Sequence, residues 1–169
     1  MNKAVIALIG LAFSSLGCAQ DFLQQWRDSA TKGMNEFRAA HRGTIEAGGW
    51  QFVGGTMTAE AVPRSDVFIK DVKALDGSVR SAQVLEVSYV PVPAADVPEY
   101  QSTQALFWFD CSARRYEERR LARYPSVDAS GDPSSSSPDK PAAAALQGKP
   151  IEPESVESML IAAACSAKP

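Results

Sequence analysis

Apolar and aromatic residues recur every three or four positions after residue 20, with charged residues such as Arg27 and Glu36 between them. This spacing is typical of one face of an α-helix. The pair Gly48-Gly49 ends the pattern. The sequence therefore predicts an N-terminal helical segment over residues 20–47. The residues that form its predicted apolar face are Phe22, Trp26, Ala30, Met34, Phe37 and His41.

The period changes to two beyond residue 50, where short segments rich in β-branched and aromatic residues alternate with turn residues. Asp76-Gly77 suits a tight hairpin turn. We expect an antiparallel sheet with one solvated face. The predicted strands are 50–62, 66–72, 78–90, 104–112 and 116–124, and Pro91, Pro93 and Pro98 are taken as separators between strands.

The end of the chain predicts a second helix. Pro153 is acceptable in a first helical turn, and Glu154 and Glu157 suit its positive end. The predicted apolar face consists of Val156, Met159, Leu160 and Ala163. On an ideal helix Cys165 falls opposite Val156, so either the helix ends before Cys165 or it is buried on more than one side.

Residues 125–150 are rich in serine, proline and alanine. Such a composition buries too little apolar surface to offset the entropy lost on ordering. We expect a disordered, mobile loop here.

The composition of the chain disfavours several classes of function. The chain has 17 Lys and Arg against 20 Asp and Glu, a formal charge of -3, which disfavours a nucleic-acid partner. His41 is the single histidine, so most zinc sites and histidine-based nucleophilic catalysis are excluded, and we expect a structural or solvent-exposed role for it. The sequence contains no Gly-rich phosphate loop, metal-spaced cluster or nucleophile elbow. We therefore expect a non-enzymatic protein without a cofactor.

Residues 1–19 have the composition of a signal peptide: Lys3, an apolar run over 4–13, and small residues before Gln20. The run is too short to span a bilayer comfortably. Two forms of processing are open: cleavage before Gln20, or lipidation of Cys18, because Ser15-Leu16-Gly17-Cys18 resembles a bacterial lipoprotein box. We expect export to the periplasm or outer membrane of a Gram-negative bacterium, with membrane association only through such a lipid.

Either form of processing accounts for Cys18 and leaves Cys111 and Cys165. In an oxidising compartment these two cysteines are expected to form a disulfide. The alternative is two buried free thiols.

The segment after Cys111 is rich in arginine. If residues alternate faces along a strand, Arg115, Arg119 and Arg123 project together. They would form either an anion-binding stripe or a solvated face with cross-strand ion pairs. Trp108, between two phenylalanines, is either a core residue or a binding aromatic.

These features together resemble the bacterial surface-adhesin protein E family, over residues 50–165. The residues that carry the resemblance are Phe109, Asp110, Cys111, Arg115, Tyr124, Pro153, Ser155 and Cys165. The resemblance implies an antiparallel sheet with the C-terminal helix held against one face by the disulfide. It also implies binding to host-matrix or serum proteins.

The sequence thus predicts an α+β protein with three parts: a signal peptide over 1–19, a helical segment over 20–47, and an adhesin-like domain over 48–169. The expected function is that of a cell-envelope binding module for extracellular-matrix or envelope macromolecules. The alternative is a periplasmic structural or accessory protein with no host ligand.

Overall fold

The computed structural model describes residues 21, 24, 25, 28, 29, 31–57, 63–94, 97–140, 146 and 148–167, and it describes the backbone alone at 63, 90–94 and 97–100. The predicted signal peptide and Cys18 lie outside the described residues. The chain divides into two compact units, Met1–Phe37 and Arg38–Pro169.

In the first unit, residues 31–37 are helical, as are the described positions between 21 and 29. Gln24 donates a hydrogen bond to Asp28 over 3.0 Å, and Lys32 lies 4.0 Å from Glu36 in an exposed i,i+4 ion pair. Each such pair stabilises a helix by a few tenths of a kcal/mol at most.

The helical residues 31–47 form helix α1, whose residues from Arg38 onward belong to the second unit. Helix α1 ends at Gly48-Gly49, as the sequence predicts. Gly49 has a φ of 84°, in the left-handed region that favours glycine. The predicted N-terminal helix is confirmed.

The second unit is built on one antiparallel sheet. Its strand order is β1-β2-β3-β4-β5-β6, and β7 also pairs with β5. The strands are β1 (Gln51–Met57), β2 (Pro63–Asp76), β3 (Val79–Ala94), β4 (Val97–Asp110), β5 (Arg115–Tyr124), β6 (Ser135–Ser136) and β7 (Lys149–Pro150).

All five predicted strands are present, but some of their ends differ. The β2–β3 hairpin turns at Gly77-Ser78, one residue later than predicted, with Gly77 at a φ of 48°. The predicted proline separators are wrong, since Pro91 and Pro93 lie in β3 and Pro98 lies in β4.

The register explains why the strands tolerate these prolines. The last β3 residue paired with β2 is Ser88, and the first β4 residue paired with β5 is Ser102. Among the residues that the structure describes, each strand is paired on one side only beyond those positions. A missing backbone donor is therefore tolerated there, as it is on an edge strand.

Two short strands within the predicted loop have no signal in the sequence. Strand β6 places Ser136 beside Ala122, and β7 places Lys149 beside Tyr116, so both lie along β5. The mobility of residues 125–150 stays a prediction.

One face of the sheet packs against helix α2 (Val156–Ser166). The most buried helix residues are Leu160, Ile161 and Ala164, which contact apolar side chains from the sheet. The predicted helix is present, but it begins at Val156 with Ser155 as its N-cap, so Pro153 and Glu154 precede the helix and do not lie in its first turn. Helix α2 continues past Cys165 and exposes only Ala162 and Ser166, so it is buried on more than one side. The sheet side chains in this core are Val67, Ile69, Ala82, Val84 and Phe109.

The sequence predicts that the opposite face is solvated, but residues 38–47 of α1 cover part of it. Ile45 packs against Phe68, Leu85 and Val87 in a second apolar cluster. The chain after β5 also reaches this face, where Ser102 donates a hydrogen bond to the carbonyl of Ser126 over 2.6 Å. An open groove on this face lies along β3, β4 and β5.

Cys111 and Cys165 form the predicted disulfide, with their Cα atoms 5.8 Å apart. The bond joins the turn after β4 to the last turn of α2. Asp110 stabilises that turn by accepting hydrogen bonds from the backbone N–H groups of Ala113 and Ser112. These bonds, with those from nearby serine hydroxyls, lower the pKa of Asp110 to about 2.

Candidate binding surfaces

A buried carboxylate lies between α1 and the sheet. Asp66 of β2 is 1% exposed, and its oxygens lie 2.6 Å from Nη2 of Arg38 and 3.0 Å from Nη2 of Arg42. The Arg42 guanidinium also stacks 3.7 Å from the centroid of the Phe52 ring. Burial alone would raise the pKa of Asp66, but hydrogen bonds from Arg38, Tyr89 and Arg42 together hold it below its ordinary value. Burial and the neighbouring Asp66 carboxylate raise the pKa of Tyr89.

This cluster attaches α1 to the sheet. The two arginines are one helical turn apart, so both reach the same carboxylate. Strand β1 can approach it because residue 55 is glycine: a Cβ atom there would lie 2.6 Å from the carbonyl oxygen of Ser65. Sequence reasoning missed the cluster, although an aspartate entering the apolar run Val67-Phe68-Ile69 was the available signal.

The arginine-rich strand β5 does not form the predicted stripe. In the pairing of β4 with β5, Leu106 is opposite Arg120 and Phe107 is opposite Glu118, so Arg119 is the extra residue of a β-bulge. The bulge breaks the alternation of faces.

As a result, Arg119 and Arg123 lie on opposite faces of the sheet. Arg123 lines a groove beside α2, whereas Arg119 lies over the ring of Trp108 on the other face. The prediction that Arg115, Arg119 and Arg123 project together is wrong. Anion binding by these arginines stays a prediction.

Arg119 is committed to contacts within the protein. It is 3% exposed, donates to Glu117 over 2.9 Å and to the carbonyl of Lys140, and its guanidinium carbon lies 4.3 Å from the centroid of Trp108. Trp108 is thus a half-buried partner of an arginine, whereas Phe109 is fully buried beneath α2.

The first open surface is a groove of about 260 Å³ between α2 and the sheet, which we call the α2 groove. Its rim carries Glu86, Glu118, Glu157 and Arg123, three carboxylates and one guanidinium. Its apolar walls come from both the sheet and the helix. They include Val84, Ala105, Phe107, Leu121, Val156 and Leu160.

The end of the α2 groove near β7 is organised by a tyrosine. The hydroxyl of Tyr116 donates a hydrogen bond to Glu157 over 3.3 Å. Burial, together with the nearby Glu157 and Glu118 carboxylates, raises the pKa of Tyr116. A second cavity of about 530 Å³ continues from here past Lys140 and Lys149.

The second open surface is a groove of about 320 Å³ on the other face of the sheet, which we call the amide groove. Gln83 of β3 and Gln104 of β4 line it, as do Ala122 and Tyr124 of β5. Arg120 and residues from the segment after β5 complete it. Those residues are Pro133, Ser136 and Ser137.

The remaining candidates are the single histidine, a metal site and a membrane-spanning helix. His41 is half-buried in α1. Within the described ranges, no three His, Cys, Asp or Glu side chains are arranged to hold a metal ion. No helix in the part of the chain that the structure describes is both long and apolar enough to cross a membrane.

An antiparallel sheet with a disulfide-linked C-terminal helix on one face defines the class of this protein as a disulfide-framed α+β module. A family model, surface-adhesin protein E, matches residues 65–166. The match covers more than half of the chain, and the chain belongs to this family. No curated protein and no solved structure matches the chain.

The family match includes β2 from its third residue, β3 to β5, α2 and both cysteines of the disulfide. It therefore includes the strands and helix that line the α2 groove. The family makes this an adhesin-like surface protein and suggests a non-enzymatic role. Helix α1 lies before the first matched residue.

Proposed function

We propose that this protein is exported to the cell envelope and acts at the cell surface as a non-enzymatic binding module for host or envelope macromolecules. The α2 groove within the family-matched segment is the observation that carries the proposal. An apolar groove with a charged rim is typical of surfaces that bind a partner. The groove lies between a sheet and a helix linked to each other by a disulfide, so it is preorganised.

The two parts of the α2 groove would have separate roles in binding. Burial of walls such as Val84 and Leu160 by a partner would supply most of the favourable free energy. The surplus of carboxylates at the rim would select basic groups on the partner and speed the encounter. Such an interface would weaken at high salt, because the rim charges are accessible to counter-ions.

Export completes the proposal. Residues 1–19 would direct the chain out of the cytoplasm, and either cleavage before Gln20 or lipidation of Cys18 would follow. The disulfide fits a compartment in which thiols are oxidised. A lipid on Cys18 would be the only membrane attachment.

Adherence of the native bacterium to immobilised extracellular-matrix proteins tests the proposed function. A deletion strain should adhere less, and the wild-type gene should restore adherence. A gene that carries both Glu86→Lys and Glu118→Lys should restore less adherence than the wild-type gene, because the two changes reverse the charge at the rim of the α2 groove. Glu46→Lys, an exposed change on α1, is the matched control and should restore fully.

Surface exposure is tested in the same strains by protease treatment of intact cells. Release of fragments of this protein is expected. Unchanged adherence of the deletion strain, with no fragments released, would contradict the proposal and favour a periplasmic structural protein.

A further inference from the structure

Two amides that line the amide groove, Gln83 and Gln104, are joined by hydrogen bonds in a chain that ends on Asp71 of β2. The Nε2 group of Gln83 donates to Oδ2 of Asp71 over 3.0 Å. The Nε2 group of Gln104 donates to Oε1 of Gln83 over 2.6 Å. A carboxylate only accepts hydrogen bonds, so Asp71 determines which way both amides face.

This chain leaves defined groups for a ligand. Each amide nitrogen carries a second N–H, and the carbonyl oxygen of Gln104 is not used in the chain. Beyond the bonds of this chain, the two amides therefore retain two N–H donors and one carbonyl acceptor, and the bonds restrain both side chains. A ligand that uses them would lose little additional side-chain entropy.

The amide groove exists because the middle residue of three paired residues on adjacent strands, Ala122, has a small side chain. Gln104 of β4 is opposite Ala122 of β5, which is opposite Ser136 of β6. The methyl group of Ala122 leaves a gap between the amide on one side and the serine on the other. Tyr124, two residues along β5, adds an aromatic ring and a hydroxyl to the same groove.

The charge of the amide groove is balanced. Arg120 is the cation among its lining residues, and its Nε lies 3.6 Å from Oδ1 of Asp139, with both side chains about half exposed. Such a pair offers no strong attraction for a highly charged ligand. The groove thus combines amides, hydroxyls and one aromatic ring at a volume near the lower end for ligand sites, which is about 300 Å³.

We propose that the amide groove binds a neutral saccharide. Sugar hydroxyls both donate and accept hydrogen bonds, which matches the paired donor and acceptor of a side-chain amide. This inference rests on the proposed surface-binding function and names a ligand class for a second surface of the same module. It places the saccharide on the face opposite the α2 groove, so the two surfaces can bind at the same time.

Binding of the purified, oxidised protein to immobilised oligosaccharides tests the inference. The probes are neutral oligosaccharides ending in glucose, galactose, mannose or N-acetylglucosamine, with heparin as the anionic comparison. Wild-type protein should bind at least one neutral probe in a manner that salt changes little. Gln104→Leu should weaken that binding by about tenfold or more, because it leaves hydroxyls of the sugar unpaired.

Two further variants separate a groove effect from a folding defect. Ala122→Phe should abolish binding by filling the groove. Gln101→Leu makes the matched change three residues earlier on β4, outside the residues that line the amide groove, and should keep affinity within about twofold. If Ala122→Phe does not fold, Gln104→Leu still decides the question.

Binding to heparin alone, no binding to any neutral probe, or equal binding by wild-type protein and Gln104→Leu would each overturn the inference. This assay uses purified protein and reports on the amide groove. Adherence of the deletion strain reports on the proposed function. A failure of the saccharide inference is therefore distinguishable from a failure of the proposed function.

Discussion

Residues 38–47 of helix α1 and the whole of helix α2 lie on opposite faces of the same sheet and are attached to it by different chemistry. Residues 38–47 of α1 are held by the ion pairs of Arg38 and Arg42 with Asp66 and by the burial of Ile45. Helix α2 is held by the Cys111–Cys165 bond and by a larger apolar contact. The ionic attachment should respond to pH, whereas the covalent one should respond to reduction.

The two open surfaces also differ in whether they depend on an attached helix. The α2 groove depends on the position of a helix, so it should be lost when α2 detaches. The amide groove is built from strands and from the segment that pairs with β5, so it should survive the loss of either helix. Each attachment can be broken separately to test this.

The largest effect is expected from removing the disulfide. Fifty-four positions separate the cysteines, and in the chain-entropy model the crosslink contributes about 4 kcal/mol. Replacing both cysteines with alanine should lower the free energy of unfolding by about that amount. Proteolysis should then cut after residue 150 first, because α2 detaches before the sheet unfolds.

Urea unfolding with and without reductant measures this loss. Reductant should have no effect on the double-alanine variant, which serves as the control. Equal stability of oxidised wild type and the variant would contradict the covalent attachment of α2.

The next largest effect is expected at Asp66. Asp66→Asn removes the carboxylate and leaves Arg38 and Arg42 without their partner. Breaking a buried pair costs about 3–5 kcal/mol. We expect about 2–3 kcal/mol, because the two arginine side chains are 19% and 33% exposed.

Asp132→Asn, an exposed change, is the control and should alter stability by no more than about 0.5 kcal/mol. Thermal unfolding followed by circular dichroism measures both variants. If Asp66→Asn is as stable as the control, the cluster does not anchor α1.

Acid should remove the α1 attachment without affecting the disulfide. The folded pKa of Asp66 lies below its ordinary value, so its contribution is complete above about pH 4 and is lost as the pH falls through the folded pKa. The stability difference between wild type and Asp66→Asn should therefore shrink below pH 4. A difference that stays constant down to pH 2 would show that the carboxylate does not titrate with folding.

The smallest effect is expected at the start of α2. The Oγ atom of Ser155 accepts a hydrogen bond from the backbone N–H of Ser158 over 3.1 Å. Ser155→Ala should lower stability by about 1 kcal/mol, the usual cost of losing a helix cap. Ser166→Ala, at the other end of α2, should cost less in the same urea experiment.

The sequence predicted those features that depend on local periodicity or on residue counts. The alternation around Leu85 and Val87 indicated β3, and the spacing around Val156 and Leu160 indicated α2. The disulfide followed from having two cysteines left after the predicted signal peptide.

Features that depend on register or on distant residues were not predictable in this way. The bulge at Arg119 is set by the pairing of β5 with β4, and no local signal marks it. The Asp66 cluster joins residues 24 and 28 positions apart, and the amide groove joins residues from β3 to β6. Such sites require knowledge of which strands are neighbours.

The central claim, an exported module framed by a disulfide, is tested most directly by intact mass spectrometry of protein from its native envelope, alkylated before and after reduction. We predict a chain that begins at Gln20 or at a lipidated Cys18, in which Cys111 and Cys165 react only after reduction. A chain that begins at Met1, with both cysteines alkylated before reduction, would contradict the account.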